Sequence, residues 1–250
     1  NVRKIEHMNS NIFSQTGYGD EAGRRLMRLE AIFRRGNAIL FSLPEEERAG
    51  FFQLFLMKIH ASYYTNLEYY YADRSVLSYE RGNMQAADRY TELSKRITEV
   101  KRQMLYFYNK KMSEGKWDGI LTPESFPPPV TAMYPFRKPA LKIAGSSLRV
   151  DLWNEKESLT FSPWGQREKW IELGNKGEGV IPYSIRMEGV QGWLTLSETE
   201  GTLQTEKRIL VSVADPKRHA GRQGRLIIQD IRNGVEIPVS VEIEKPPVLP

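Results

Sequence analysis

Apolar positions in the first half of the chain recur every three or four residues, and in the second half every two. Leu26, Leu29, Phe33 and Leu40 fall on roughly one face of a helix predicted over 20–41. Asp20 and Glu21 open it, where carboxylates suit the positive end of the helix dipole. A second helix is predicted from "SLPEEER" to Gly82, with Ser42 and Glu45 as a capping box and Pro44 in the first turn. Its length is unusual for a globular helix, so a kink or break is expected within it. A third is predicted from a cap at Asn83 to Gly115, with Ala86, Tyr90, Leu93, Ile97, Val100, Met104 and Phe107 close to a heptad seam. Three long helices with short connections favour an antiparallel bundle.

After residue 147 the period changes. "RVDLW", "SLTFS", "KWIELGN", "VIPYSIRME", "GWLTLS", "RILVSVAD", "GRLIIQDI" and "VEIPVSVEIE" are short and rich in β-branched residues. In the last, Val235, Ile237, Val239, Val241 and Ile243 share one face, and Glu236, Ser240 and Glu242 share the other. "RNGVE" is a two-residue hairpin signal. Seven or eight such strands in about 100 residues indicate an immunoglobulin-like antiparallel β-sandwich. The expected class is therefore α+β and multidomain: a three-helix bundle over 1–117, a Pro-rich bridge over 118–147 and a β-sandwich over 148–250. In the bridge, "EGKWDGILTPESFPPP", Gly115 stops the helix, Trp117 and Phe126 serve as anchors, and Pro127, Pro128 and Pro129 stiffen the chain.

Composition narrows the function classes. The 250 residues are 40% hydrophobic and 27% charged, which is ordinary for a globular protein. The net charge is +5, but its clusters, "RRLMR", "RR" at 34–35 and "KRHAGRQGR", come with no nucleic-acid-binding motif, so no nucleic-acid partner is expected. No run is long and apolar enough to span a bilayer, and no membrane partner is expected. Without cysteine there can be no disulfide or thiolate metal site. The opening "NVRKIEHMNS" has neither an initiator Met nor a signal-peptide core, and reads as the start of a piece of a longer chain.

Chemistry is sparse. His7, His60 and His219 do not share metal-ligand spacing, and there is no phosphate-binding Gly-rich loop or nucleophile elbow. The expectation is no catalytic residue, no metal and no cofactor. His60, beside apolar residues, reads as a packed histidine. Glu45, Glu46 and Glu47 are explained by capping, and Glu124 in the bridge is the one acid that could lean over a neighbour's pocket. The aromatic residues are the unusual feature. Tyr63, Tyr64, Tyr69, Tyr70 and Tyr71 crowd one helix and cannot all face one way. They are candidates for contact with another domain or with a sugar, as are Trp117 and Phe126. An apolar scar around these tyrosines is expected where a neighbouring domain is removed. Trp153, Trp164, Trp170 and Trp193 pose the same choice in the second half.

"YGDEAGRRL", "LPEEERAGFFQLFLMKIHASYYTNLEYYYADRSVLSYERGN" and "YNKKMSEGKWDGILTPESFPPPVTAMYP", with "FSPWGQREKWIELGNKG", "WLTLSETEG" and "RILVSVAD", are similar in collinear order to the region after the barrel in glycoside hydrolase family 115. These are xylan α-1,2-glucuronidases. The resemblance runs from about Tyr18 to Ile243 and implies a helical bundle, a "GKW" segment and a β-sandwich. It also implies a partner, an N-terminal catalytic barrel of the parent chain, which carries the catalytic carboxylates. No alternation of strands and helices marks a barrel here, so none of those carboxylates falls on this chain. "ILTPESF" departs from the aromatic and His residues usual after "GKW". The resemblance further implies xylan as ligand of the parent, a secreted or periplasmic parent, and subunit contacts such as a homodimer. The expected role is a non-catalytic accessory region. The alternatives are a xylan-binding module or a free-standing scaffold protein.

Overall fold

The structure is a computed structural model that describes residues 13–121, 145 and 147–245, with nothing described of the Glu155 side chain. Phe126, Pro127 to Pro129, Glu124 and most of the bridge lie outside the described residues, as does His7. The class is α+β: three long helices, then two sheets. The chain divides into two compact units. Among the described residues, 13–15, Asp20–Tyr79 and 87–121 form the helical unit; Thr16–Gly19, Glu80–Ala86, 145 and 147–245 form the sheet unit.

In the helical unit, α1 (Glu21–Ser42) is capped by Asp20, whose carboxylate accepts from Gly23 N at 2.8 Å. The predicted stripe is the covered one: Leu26, Leu29, Phe33 and Leu40 are half-buried, and Gly36 between them is buried. A Cβ at Gly36 would lie 2.8 Å from Leu56 Cδ1, so glycine permits the close approach of α1 to that residue. The expected capping box does not form. Ser42 ends α1 and turns its hydroxyl back to Ile39 O, and α2 (Glu45–Phe51) starts after Pro44 with no side-chain cap. Glu45, Glu46 and Glu47 in its first turn supply the compensating charge.

The break expected in the second helix is a π-turn, Phe52–Leu56, after which α3 (Met57–Glu80) continues. The inserted residue advances the phase by about 100°. Leu54 and Phe55 are thereby left outside, and Leu56 and Met57 go in. The third helix is shorter than expected. Asn83 caps it through Ala86 N, α4 runs Met84–Tyr106, and a π-turn (Phe107–Lys111) and a 3₁₀ turn (Met112–Gly115) follow.

Helices α3 and α4 run antiparallel, because Glu68 meets residues 94–101 while Ser75 meets 87–91. Ala86 and Met104 of the predicted seam are buried, and Ala87, Ser94 and Lys101 on α4 with Tyr108 beyond it form a second buried line one residue on. Lys101 is drawn inward by Glu68, which rotates the stripe and leaves Phe107 exposed.

The sheet unit contains β1 (Leu148–Leu152), β2 (Leu159–Phe161), β3 (Glu168–Asn175), β4 (Ile181–Glu188), β5 (Leu194–Leu196), β6 (Glu200–Leu203), β7 (Glu206–Val213), β8 (Gln223–Asp230) and β9 (Val235–Ile243). One sheet has the order β1-β3-β7-β5 and the other β2-β9-β8-β4-β6. Their inner faces share one core, including Phe161, Ile171, Leu173, Tyr183, Ile209, Val211, Leu226 and Ile228. The expected purely antiparallel pairing needs a correction, since β2 pairs with β9 in parallel, Leu159 opposite Val241. After β1 the chain crosses from one sheet to the other through the 3₁₀ turn Trp153–Glu155, and so enters the second sheet alongside its last strand. The "RNGVE" hairpin also differs. Its loop has four residues, 231–234, because Asp230 Oδ1 accepts from Arg232 N and Asn233 N and Gly234 takes φ 68°.

Candidate contact surfaces and the acidic residues

The tyrosine-rich stretch is held by an aromatic run within the helical unit. Phe33 lies 4.6 Å from both His60 and Tyr63 and 5.5 Å from Tyr64, centroid to centroid. Farther along α3, Tyr70 meets Tyr71 at 6.0 Å, and Tyr71 stacks on Tyr90 of α4 at 6.0 Å. Tyr63, Tyr64, Tyr69, Tyr70 and Tyr71 are all half-buried, so the apolar scar does not lie on them. Burial raises the pKa of Tyr63, Tyr64 and Tyr71. His60 is a packed histidine that meets Asn37 Oδ1 at 3.2 Å, and burial lowers its pKa.

The exposed apolar side chains of this unit sit elsewhere. Phe41 is 74% exposed, Phe55 57%, Leu54 62%, and Tyr106 and Phe107 are also open. Phe52 joins part of this set, with Phe107 at 5.6 Å on one side and His60 at 5.8 Å on the other, and Phe51 meets Phe55 at 5.6 Å. The π-turn at 52–56 carries Leu54 and Phe55, Phe41 lies in the last turn of α1, and Tyr106 and Phe107 lie where α4 meets the second π-turn. Sequence periodicity misses Leu54 and Phe55 because the π-turn resets the phase.

Trp117 packs on Met57, Met104, Tyr108 and Met112. The loop carrying it is clamped by Asn109, which donates to Leu121 O at 2.5 Å and accepts from Leu121 N at 3.3 Å. Ser113, Glu114 and Gly115 all have positive φ, which turns the chain sharply so that Trp117 folds back. Trp117 Nε1 is buried with no hydrogen-bond partner among the described residues. Trp117 is thus an anchor inside the helical unit; Phe126 lies outside the described residues.

In the sheet unit, Trp193 is buried and donates to Gly189 O at 3.1 Å. Trp170 is buried under the Arg208 guanidinium, 4.3 Å from the ring, and lies 5.7 Å from the half-buried Trp153. Trp164 is 61% exposed.

Two buried carboxylates escape sequence reasoning. Glu68 is fully buried, bonded to Lys101 Nζ at 2.5 Å and to the Thr98 hydroxyl. The signal that could find it is a charge on the covered stripe of each helix, three residues before Met104 in the case of Lys101. Glu172 on β3 takes Arg81 at 2.9 Å and Arg208 at 2.8 Å, and Arg149 pairs with Asp151 at 2.5 Å beside them. Arg81 belongs to residues 80–86 of the same unit, where Asn83 also donates to Thr205 O at 3.0 Å. Outer acids are engaged too: Glu236 with Arg186 at 3.4 Å, and Glu242 with Thr160 at 2.9 Å. Glu68, Glu172 and Glu236 each meet a cation, and Glu242 is held by the Thr160 hydroxyl and the Gln223 amide. Among the described residues no group of three His, Asp or Glu could hold a metal ion. No described helix is long and apolar enough to cross a membrane. No family model matches the chain, and no curated protein matches it.

Proposed function

We propose that this chain is the non-catalytic C-terminal accessory region of a family 115 xylan α-1,2-glucuronidase, and that its helical unit lies against the parent's catalytic barrel. The observation that carries the reading is the open apolar set Phe41, Leu54, Phe55, Tyr106 and Phe107. A unit that buries charge while exposing aromatic rings is suited to a neighbour that covers them. Collinear resemblance over most of the chain names that neighbour. In the sheet unit the exposed aromatic residues are Tyr18 and Trp164, which is less than the flat platform an aromatic-stacking carbohydrate module uses.

We also read the sheet unit as immunoglobulin-like. The orders β1-β3-β7 and β2-β9-β8-β4 fit strands A-B-E facing a G-F-C sheet, with β2 as a second segment of the first strand, while β5 and β6 follow β4 in the reverse of the C′-then-D order.

The test is to express the chain with its preceding coding sequence. Barrel periodicity upstream and amide protection at 51–56 and 104–109, relative to the 250-residue chain alone, are expected. The chain alone is expected to release no methylglucuronate from glucuronoxylan. Release that survives repurification overturns the non-catalytic reading, and an upstream sequence without a barrel overturns the parentage.

A further inference from the structure

The hairpin motif "RNGVE" has a chemistry that an accessory role does not use. It holds the one Asn-Gly pair of the chain, in the exposed loop 231–234 between β8 and β9. In such a pair the backbone nitrogen of glycine can attack the side-chain amide carbon of asparagine, because glycine has no Cβ to obstruct it and turns freely. The N–Cγ bond forms and the Cγ–Nδ2 bond breaks. Ammonia leaves with the proton of the glycine amide, and a five-membered succinimide remains. Water then opens the ring at either carbonyl, to aspartate or to isoaspartate, whose backbone is one carbon longer. The sequence of steps needs no oxidant, metal or second protein.

Here one buried residue, Asp230, holds both reacting groups. Its Oδ1 accepts from Arg232 N at 3.0 Å and from Asn233 N at 3.1 Å. Its Oδ2 accepts from Asn233 Nδ2, the leaving group, at 2.8 Å. Its carbonyl accepts from Gly234 N, the nucleophile, at 2.8 Å. Cyclisation therefore requires two hydrogen bonds to Asp230 to open first. Packing does not shield the glycine: a Cβ built on Gly234 would meet nothing within 4 Å.

We infer that Asn233 is a self-modification site latched by Asp230: it is spared while the β8–β9 turn is closed and deamidates when the turn opens. The product then acts on the latch. Aspartate or isoaspartate at 233 puts a second carboxylate where Asp230 Oδ2 now accepts a donor, and two carboxylates that close repel. Isoaspartate also adds a backbone carbon beside the pairing of Asp230 with Val235. A turn that has opened and reacted closes less readily, so the modification is an irreversible record of opening. Strands β8 and β9 are neighbours in the five-stranded sheet, and Ile231 N donates to Pro182 O on β4, so the loosening reaches three strands. The site lies in the sheet unit and stands or falls independently of the barrel-covering role.

The 250-residue chain is incubated at body temperature and slightly alkaline pH, in buffer and in concentrated urea, and its tryptic peptides are followed by mass spectrometry. Replacing an amide by an acid raises the mass of the peptide that begins at Asn233, after Arg232. Isomerisation at Asp118–Gly119 leaves mass unchanged and is not counted. Conversion in buffer should be at least about tenfold slower than in urea, the effect of two hydrogen bonds that must open. Asp230→Asn keeps the shape and one oxygen acceptor but gives Asn233 Nδ2 no carboxylate. It should speed conversion in buffer about threefold or more and leave the rate in urea unchanged. Cleavage after Arg232 separates position 230 from position 233. Asn233→Asp should lower the urea midpoint of unfolding. No conversion in urea overturns the site, and equal rates in buffer and urea overturn the latch. A rate unaltered by Asp230→Asn overturns the part given to Asp230, with circular dichroism checking that this variant folds; where it does not, buffer against urea in the natural chain decides the latch. An unchanged midpoint in Asn233→Asp overturns the loosening.

Discussion

The two units bury apolar and polar surface in different proportions. The sheet unit closes around a continuous apolar core, and nearly every strand commits one face to it. Among the described residues, the helical unit clusters Met57, Met104, Tyr108 and Met112, buries Leu56, Leu67 and Ala72 as well, and places Glu68, Ser75, Ser94 and Lys101 equally deep. In a strand the side-chain period is two, so a face is either in or out. A helix presents a continuous range of directions, and a π-turn can shift which residues turn inward. The comparison teaches that a helical unit can bury charge and leave aromatic side chains outside, because its inward direction is not fixed residue by residue as it is in a strand.

The difference can be broken by mutation, and the largest effect is expected in the sheets. Phe161→Ala empties a fully buried ring position, and the loss should be about 3–5 kcal/mol. Denaturant unfolding followed by the fluorescence of Trp170 and Trp193 measures it. A loss below about 1 kcal/mol would mean that the core is loosely packed.

Next comes the polar line of the helices. Lys101→Met leaves Glu68 buried without its cation and should cost about 3 kcal/mol. Glu68→Leu combined with Lys101→Met should recover that loss, because the desolvation of both charges is removed together. If the double variant is as unstable as the sum of the single ones, the pair is not a coupled unit.

Arg81→Ala withdraws one of the two cations from Glu172, and the expected loss is about 1.5–3 kcal/mol. Protection of the β3 amides in hydrogen exchange reports it, and unchanged protection would show that Arg208 suffices.

A smaller effect should follow pH. His60 has a folded pKa below its ordinary 6.5 because it is buried. The unfolded chain therefore binds the proton first, and the neutral ring contributes stability that is present above pH 6.5 and lost as pH falls toward the folded pKa. His60→Phe should flatten this part of the profile between about pH 7 and 5. The smallest effect is expected at the open face, where Leu54→Ser with Phe55→Ser should change stability by less than about 0.5 kcal/mol per site. The same pair should reduce binding of an apolar dye. A large destabilisation instead would show that these side chains are already packed within this chain.

The sequence by itself determined where the class changes and most of the elements. Alternation in "VEIPVSVEIE" correctly assigns Val239, Val241 and Ile243 to the core, and the stripe Leu26, Leu29, Phe33, Leu40 is the covered face of α1. Asn83 was legible as a cap, and Asp20 as an acid suited to the start of α1, because both depend on neighbours two or three residues away. Strand β6 was not legible, as "EGTL" has no apolar alternation and is held by its pairing with β4. The tertiary structure alone decided what depends on partners distant in the chain. The parallel pairing of β2 follows from a change of sheet, which no local period encodes. Glu68 and Lys101 are 33 residues apart, and a charge reads as solvated until its partner is in place.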